Sequence, residues 1–467
     1  MKAALRNIFA IVTGDVAVRF LGFLVTIYLA RVLGPSLFGV ISVGFAVLGY
    51  LGQLSGSGVQ MLEARNTAAQ MNIDLDRVGA ISSLRLLLAV ILLLMTAAAA
   101  FLFVENGETR DALWLYALML LPLALYLDWF FQGKEQFGIL SLSKVLNYGI
   151  YALAVYLLVE EPRDFRFAPL ALLLGTSVAA IVLIIRFRKS YGDFRLRLRP
   201  ALWGDLLRQS LPLGFAVLLG QSSVNAAPII IGLEFTNADV GMYSAAMKII
   251  VLLLLLDRTV NSFYLPVVSR LQASRPEELP QVVMIALKVV MIVVLPLAGC
   301  CFVAADDVVT LLYGSGYSDA VVFLRSLLAY FVLTVPNSVL VCTMVGSGRE
   351  AAYKRIIITG SLILVSCTII SSIVFGPLGA TLGVALGEFF TLLMFLHETK
   401  SFVALSIIRT MIRPLVAFLV MMGVALLFDH WSTITLLAAS LSAFVLAIAG
   451  FRGLERGEIR FLRRRLV

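Results

Sequence analysis

The amino-acid sequence predicts an all-α polytopic membrane protein with fourteen transmembrane helices, arranged as two parallel six-helix lobes and an extra C-terminal pair. Three observations predict it: long apolar runs, Lys and Arg gathered in alternate connecting segments, and an internal repeat. The composition sets the class. Of 467 residues, 61% are hydrophobic and 14% charged, and the mean hydropathy is +0.99. A soluble domain carries about 25% charged residues.

The apolar runs cover 8–30, 37–62, 79–104, 112–131, 138–159, 167–185, 209–233, 240–268, 281–304, 320–345, 355–375, 378–396, 407–428 and 431–450. An apolar core of about 30 Å needs roughly 20 helical residues, so each run can cross a bilayer. Lys and Arg decide orientation. With the N-terminus in the cytoplasm, 26 of the 37 basic residues fall in cytoplasmic segments, four outside and seven within spans. A wrong span count would scramble that bias. The net charge of +9 therefore belongs to membrane-flanking loops, not to a nucleic-acid surface.

The first run follows Lys2 and Arg6 like a signal sequence. It is too long, lacks a small-residue cleavage site, and leads straight into a second span, so it reads as an uncleaved helix. Asp15 and Arg19 lie four residues apart inside it, on one face. A charge at that depth costs at least about 2.5–3.5 kcal/mol and implies a polar pathway or a partner. Gly34-Pro35 then breaks the helix before the second run.

The longest loop, RFRKSYGDFRLRLRP from Arg186 to Pro200, is strongly basic and suits the inner leaflet. The segment 306–317 reads as a short external turn or helix. Cys300, Cys301, Cys342 and Cys367 all sit in apolar runs without ligand spacing and read as small hydrophobes, so no metal, disulfide or cofactor is expected.

The repeat appears next. FGVISVGFAVLG from Phe38 aligns with VGMYSAAMKIIV from Val240, 202 residues on. Arg85 maps to Lys288, QGKE ending at Glu135 to SGRE ending at Glu350, and PLALLLG from Pro169 to PLGATLG from Pro377. Both copies begin in the cytoplasm, so the repeat is parallel. The expected domains are a six-helix lobe at 1–190, a basic cytoplasmic linker at 191–208, a second lobe at 209–400, and a helix pair with a basic tail at 401–467.

The hairpin sequence LARVLGPSLFG, from Leu29 to Gly39, resembles the opening hairpin of the Wzx-type polysaccharide flippases. These form a branch of the multidrug/oligosaccharidyl-lipid/polysaccharide (MOP) exporter superfamily. The order of the repeat extends the likeness over nearly the whole chain. The resemblance implies a MATE-like pair of lobes rocking about a central cavity. It also implies export of a polyprenyl-diphosphate-linked oligosaccharide across the bacterial cytoplasmic membrane, for surface polysaccharide synthesis. The partners it implies are that substrate, membrane lipids and polysaccharide polymerase machinery.

No enzyme signature is present: there is no phosphate-binding Gly-rich loop, no H-E-x-x-H, and no loop large enough for a catalytic domain. The intramembrane polar residues carry the function instead. An anionic diphosphate needs cations, and Arg binds phosphate oxygens through its planar fork. Arg19, Lys248 and Arg325 are the candidate cations, with Gln221 and Asn225 as the repeat's counterpart to Arg19, and Gln53 for the sugar. Asp15 and Glu388 are candidates for ion coupling or for charge partners. The set is poorer in cations than the lipid II flippases of the superfamily would imply. A cation-coupled multidrug or small-solute exporter is the alternative, and an assembly partner without transport is a third reading.

The charge bias predicts topology. Reporter tags at 186–208 and at Arg463–Arg465 are expected in the cytoplasm, and one at 306–319 outside. Opposite locations for the two termini would refute the fourteen-span reading.

Overall fold

Gly34 and Pro35 break the first hairpin where the sequence expects. Helix α1 (Lys2–Gly56) is continuous except at Gly34, whose φ of 71° is open to glycine, and Pro35 restarts the helix without needing an N–H partner. The computed structural model describes residues 2–56, 58–69, 74–400 and 406–451. Side chains are described from Gly14 and from Met411 in the first and last of these segments, and not at 213 and 216. The basic tail and the side chains of Lys2 and Arg6 lie outside the described residues.

Among the described residues all regular elements are helical. In the first half these are α2 (Val59–Ala69), α3 (Leu75–Phe103), α4 (Gly107–Ala117), α5 (Leu120–Ala124), α6 (Asp128–Gly133), α7 (Phe137–Leu158), α8 (Phe167–Tyr191), α9 (Pro200–Gly220) and α10 (Ser222–Glu234). In the second they are α11 (Asn237–Leu253), α12 (Leu255–Ser274), α13 (Leu279–Val303), α14 (Ala305–Tyr313), α15 (Ala320–Gly346), α16 (Glu350–Phe375), α17 (Pro377–Glu398), α18 (Ser406–Leu427) and α19 (Thr433–Gly450). Among the described residues ten helical stretches are long and apolar enough to cross a membrane. Three of the differences from the fourteen runs have a physical origin: the first two runs share α1, 112–131 is broken into α4–α6, and 209–233 is broken at Gln221. The run at 407–428 forms the apolar helix α18, whose side chains are described from Met411.

The chain forms two compact units, residues 1–244 and 245–467. In the first unit α7 and α8 form a hairpin in which Gly175 admits the Asn147 carbonyl; a Cβ there would lie 2.6–2.7 Å or less from Asn147 atoms. Toward the end that holds α2, an aromatic cluster joins α6 to α8, with Phe130 4.8 Å from Phe187 and 5.0 Å from Tyr191. The basic linker docks on this end instead of lying free. Arg197 and Arg199 bind Asp76 at 3.1 and 2.8 Å, and Trp203 donates to the Ala80 carbonyl. Glu63, buried, takes a two-pronged bond from Arg77 at 2.6 and 3.0 Å.

Arg85, which the repeat pairs with Lys288, lies in α3 beside the turns of the interrupted fourth run. It is buried, and its guanidinium donates to the carbonyls of Leu123 at 2.6 Å and Tyr126 at 3.0 Å. Those carbonyls are released where Pro122 and the turn at Leu125 interrupt the fourth run. In a membrane such groups must be satisfied inside the protein.

In the second unit α15 packs against α12, α13 and α17. The α16–α17 hairpin is held by a stripe of glycines four residues apart. Gly379 meets Ser371, Gly383 meets Cys367 and Thr368, and Gly387 meets Leu364. Small residues at this spacing let backbones approach closely. The extra pair α18–α19 docks on α13, where Gly299 accommodates Met421. The segment read as a short external turn or helix is α14, whose Tyr313 donates to the Ala245 carbonyl. Burial pushes the phenols of Tyr313 and Tyr317 well above their usual range.

One turn shifts the repeat's register. The N–H of Gln136 bonds the Phe131 carbonyl, and that of Arg349 bonds the Met344 carbonyl, a matching helix-end motif 213 residues apart. Glu135 (φ 53°) thus stands where the second copy has Gly348 (φ 76°), two residues from the alignment of QGKE with SGRE.

Replacing Arg85 tests its role. Arg85→Met removes the guanidinium donor from the buried Tyr126 and Leu123 carbonyls, the latter keeping only the Tyr126 N–H, at about 1–3 kcal/mol for the carbonyl left without a donor. The expected outcome is a lower thermal unfolding midpoint in detergent, with Arg85→Lys recovering part of the loss.

Candidate functional site

The sequence-predicted residues fall into four places. In the first, α1 runs alongside α7. A Cβ on Gly14 would lie 2.7 Å from Ser141 Cβ, and one on Gly22 would lie 3.1 Å from the Tyr148 ring, so the two helices touch closely at both levels. That contact brings Asp15 to Lys144, whose Nζ donates to Oδ1 at 3.2 Å. Arg19, one turn on, is half-buried within electrostatic reach of Tyr148. Further along, Tyr28 donates to the Val159 carbonyl at 2.9 Å. The α1–α7 pair therefore presents two cations against one carboxylate, and both partners of the ion pair keep more than a third of their side-chain surface exposed. Sequence spacing gave no sign of Lys144, because its partner lies 129 residues away.

The second place is the break between α9 and α10. Gln221 occupies it, and Asn225 Nδ2 donates back to Gln221 Oε1 at 3.4 Å. Both sit beside the second half of α1. Tyr50 donates to Ser222 at 3.3 Å, and a Cβ on Gly49 would lie 2.6 Å from Asn225. Gln53 is half-buried one turn from Gly49 on that helix. Gln221 and Asn225 are thus brought to the second half of α1, while Arg19 is brought to α7.

The third place is α11, where half-buried Lys248 lies one turn from Ser244. The buried hydroxyls of Tyr243 and Ser244 have no hydrogen-bond partner among the described residues. The fourth is in the second unit and comprises two separate groups. Arg325 binds Asp306 at 2.7 Å and the Phe302 carbonyl at 3.3 Å, with its guanidinium 5.1 Å from the Phe302 ring centre. It serves the α14 end. Glu388 instead lies buried against Asn337, near Asp257.

A contact that sequence reading missed lies at the Gly34-Pro35 end. A Cβ on Gly39 would strike the Asn237 carbonyl, and one on Gly241 would strike the Pro35 carbonyl. Asn237 and Gly241 stand 202 residues after Pro35 and Gly39, the same offset as the repeat. Each copy's glycine therefore receives the other copy's carbonyl, a reciprocal clasp. A one-sided contact, Gly58 (φ 72°) against the Ser210 carbonyl and Gly214, lies toward the opposite end of the same helix.

A family model described as "Polysaccharide biosynthesis protein" matches residues 4–272, more than half of the chain. The chain belongs to this family. Three known proteins resemble this chain. One is an Escherichia coli (strain K12) protein provisionally named O-antigen transporter, 24% identical over 393 residues, which are 80% of this chain and 92% of that one. Among solved structures, the lipid II flippase MurJ in an inward closed conformation superposes with a TM-score of 0.76 at 14% identity, covering 98% of this chain and all of that one. An inward-facing multidrug resistance MATE family transporter of the MOP superfamily gives 0.65 at 18% identity, covering 82% and 94%. The fold is the MATE- and MurJ-like one, and the resemblance to Wzx-type flippases read from the hairpin agrees with these findings. The chain is a multi-pass membrane protein of that family.

The clasp predicts a steric effect. Gly39→Leu and Gly241→Leu each put a side chain into a facing carbonyl and are expected to part the two helices. With the native cysteines replaced, a cysteine at Val40, buried here, is expected to label faster with a membrane-impermeant thiol reagent in either variant. Unchanged labelling would mean that the clasp does not hold that end closed.

Proposed function

We propose that the chain moves a polyprenyl-diphosphate-linked oligosaccharide from the inner to the outer leaflet of the bacterial cytoplasmic membrane by alternating access of two lobes. The observation that carries this reading is the intramembrane pair Arg19 and Lys144 beside one carboxylate, Asp15, in a chain of the polysaccharide biosynthesis family. A charge kept at that depth against a cost of about 2.5–3.5 kcal/mol calls for an anionic partner. Arg19 offers the bidentate fork to a phosphate and Lys144 a mobile point charge, already balanced in the resting state by Asp15. The orphan hydroxyls of Tyr243 and Ser244, with Gln221 and Asn225, supply groups suited to sugar.

In this reading the chain crosses the membrane fourteen times with both termini in the cytoplasm, and the lobes are 1–190 and 209–400. The glycine clasp then acts as the outer gate, its near-twofold form expected of parallel copies closing on each other. Two negative charges leaving a negative-inside cell gain about 4.6 kcal/mol per 100 mV, at roughly 2.3 per charge. The names of the E. coli protein and of MurJ support the substrate class. A cation-coupled solute exporter is the second reading, favoured by the buried carboxylates of the second unit; competition by soluble aromatic compounds would support it.

Arg19→Ala is expected to abolish export at normal protein abundance, and Arg19→Lys to restore only part, since Lys lacks the fork. The paired change Asp15→Asn with Arg19→Gln is expected not to restore it. The measurement is the leaflet distribution of labelled lipid-linked sugar in cells carrying each variant as the sole copy. Near-normal export by the double variant would end the case for Arg19 as the phosphate ligand.

A further inference from the structure

The first unit holds a carboxylate that the substrate chemistry above leaves idle. Asp128 opens α6, and its Oδ1 is buried with no hydrogen-bond partner among the described residues. A buried acceptor without a donor is costly, so its presence calls for a reason. Two cations lie within electrostatic reach of it, Arg85 from α3 and Lys144 from α7. Arg85 is already committed, since both terminal nitrogens of its guanidinium donate to the carbonyls of Leu123 and Tyr126. Its Nε is buried without a partner among the described residues, so its charge faces Asp128 without a bond to Oδ1. Lys144 is the cation that can move.

Three observations give it that freedom. Its ammonium meets Asp15 at 3.2 Å, 46% of its side chain stays exposed, and its four-carbon stem is flexible. The helices themselves cannot part to break this pair. Gly14 and Gly22 of α1 press on Ser141 and Tyr148 of α7, one contact on each side of it, so a change of partner must come from the side chain. Finally, the hydroxyl of Ser143, the residue before Lys144, shares a hydrogen bond of 2.9 Å with the hydroxyl of Tyr126, both residues being buried. That bond fixes the root of the Lys144 stem beside the segment that carries Asp128. Lys144 thus serves two carboxylates, Asp15 on α1 and Asp128 on α6.

We propose that Lys144 is a two-seat switch, with Asp15 as the seat observed and Asp128 as the second. With Lys144 on Asp15, Arg19 is left to the substrate phosphate. When Lys144 turns to Asp128, one of its N–H groups donates to Oδ1, and Asp15 turns to Arg19, four residues on along the same face of α1. Both carboxylates keep a cation in either state, and only hydrogen bonds change. The exchange draws Arg19 away from the phosphate, so the second seat is the releasing one. Asp128 acts through its neighbours and is a positioning residue. The releasing role, and that alone, rests on the exporter reading above.

The test follows the Lys144 ammonium by NMR in the full chain, its lysines dimethylated with carbon-13 formaldehyde, in detergent at fixed pH. The resonance lost in Lys144→Arg assigns it. Asp15→Asn is expected to move this resonance to a second position, and adding Asp128→Asn to abolish that position. Coincident spectra for the single and double variants overturn the proposal, because Lys144 would then have only water to turn to. If Asp128→Asn does not fold, Asp128→Glu in the Asp15→Asn background is expected to shift the second position, and an unmoved resonance overturns the proposal equally. Farnesyl diphosphate serves as the probe of release. Asp128→Asn is expected to bind it at least as tightly as the native chain and to release it more slowly; unchanged or faster release overturns the releasing role. Failure of the probe to bind any variant counts against the exporter reading, while the resonances still decide the two seats.

Discussion

Inside a bilayer there is no water to satisfy a broken helix or an isolated charge, and this constraint shapes both units. The fourth run is interrupted near Pro122, and the carbonyls released there are held by the buried guanidinium of Arg85. Asp15, inside the first helix, is met by Lys144 from α7. In the second unit, Asp257 and Glu388 are enclosed by Ser338, Asn337 and Asn261. Each of these charged groups is met from a different helix. The polar contacts therefore do double work: they permit function at depth and they fix which helices are neighbours.

Helix neighbours are fixed secondly by glycine. Lipid offers no hydrophobic advantage to helix association, so close backbone packing carries more of the load. The Gly379, Gly383 and Gly387 stripe welds α16 to α17, and Gly175 does the same for α7 and α8. The Gly39–Gly241 clasp is different in kind. It joins equivalent positions of the two repeats at a helix end, where a contact can be broken without unpacking a hairpin.

Much of the architecture was legible in the chain. The Gly34-Pro35 break, the apolar runs, and the order of the repeat all have local or periodic signals that survive folding. The register at Glu135 and Gly348 did not, because the alignment matched residue types while the helix-end hydrogen bonds follow chain geometry. The partners of Arg85 were not legible either, since its sequence neighbours give no hint that carbonyls 38 and 41 residues away lie beside it. Arg325 was read as a cavity cation, and Asp306, 19 residues earlier, engages it.

The sequence by itself determined the class, the helical runs and their breaks, and the inventory of charges that membrane insertion makes expensive. These follow from the hydrophobicity, backbone restrictions and spacing of neighbouring residues. Only the tertiary structure decided the partners: Lys144 for Asp15, two carbonyls for Arg85, and Asn337 for Glu388 with one amide oxygen left over. The physical reason is range. Hydrophobic burial and helix breaks act within one segment, whereas an ion pair or hydrogen bond within about 3 Å joins residues 129 or 51 positions apart, which helix packing alone brings together.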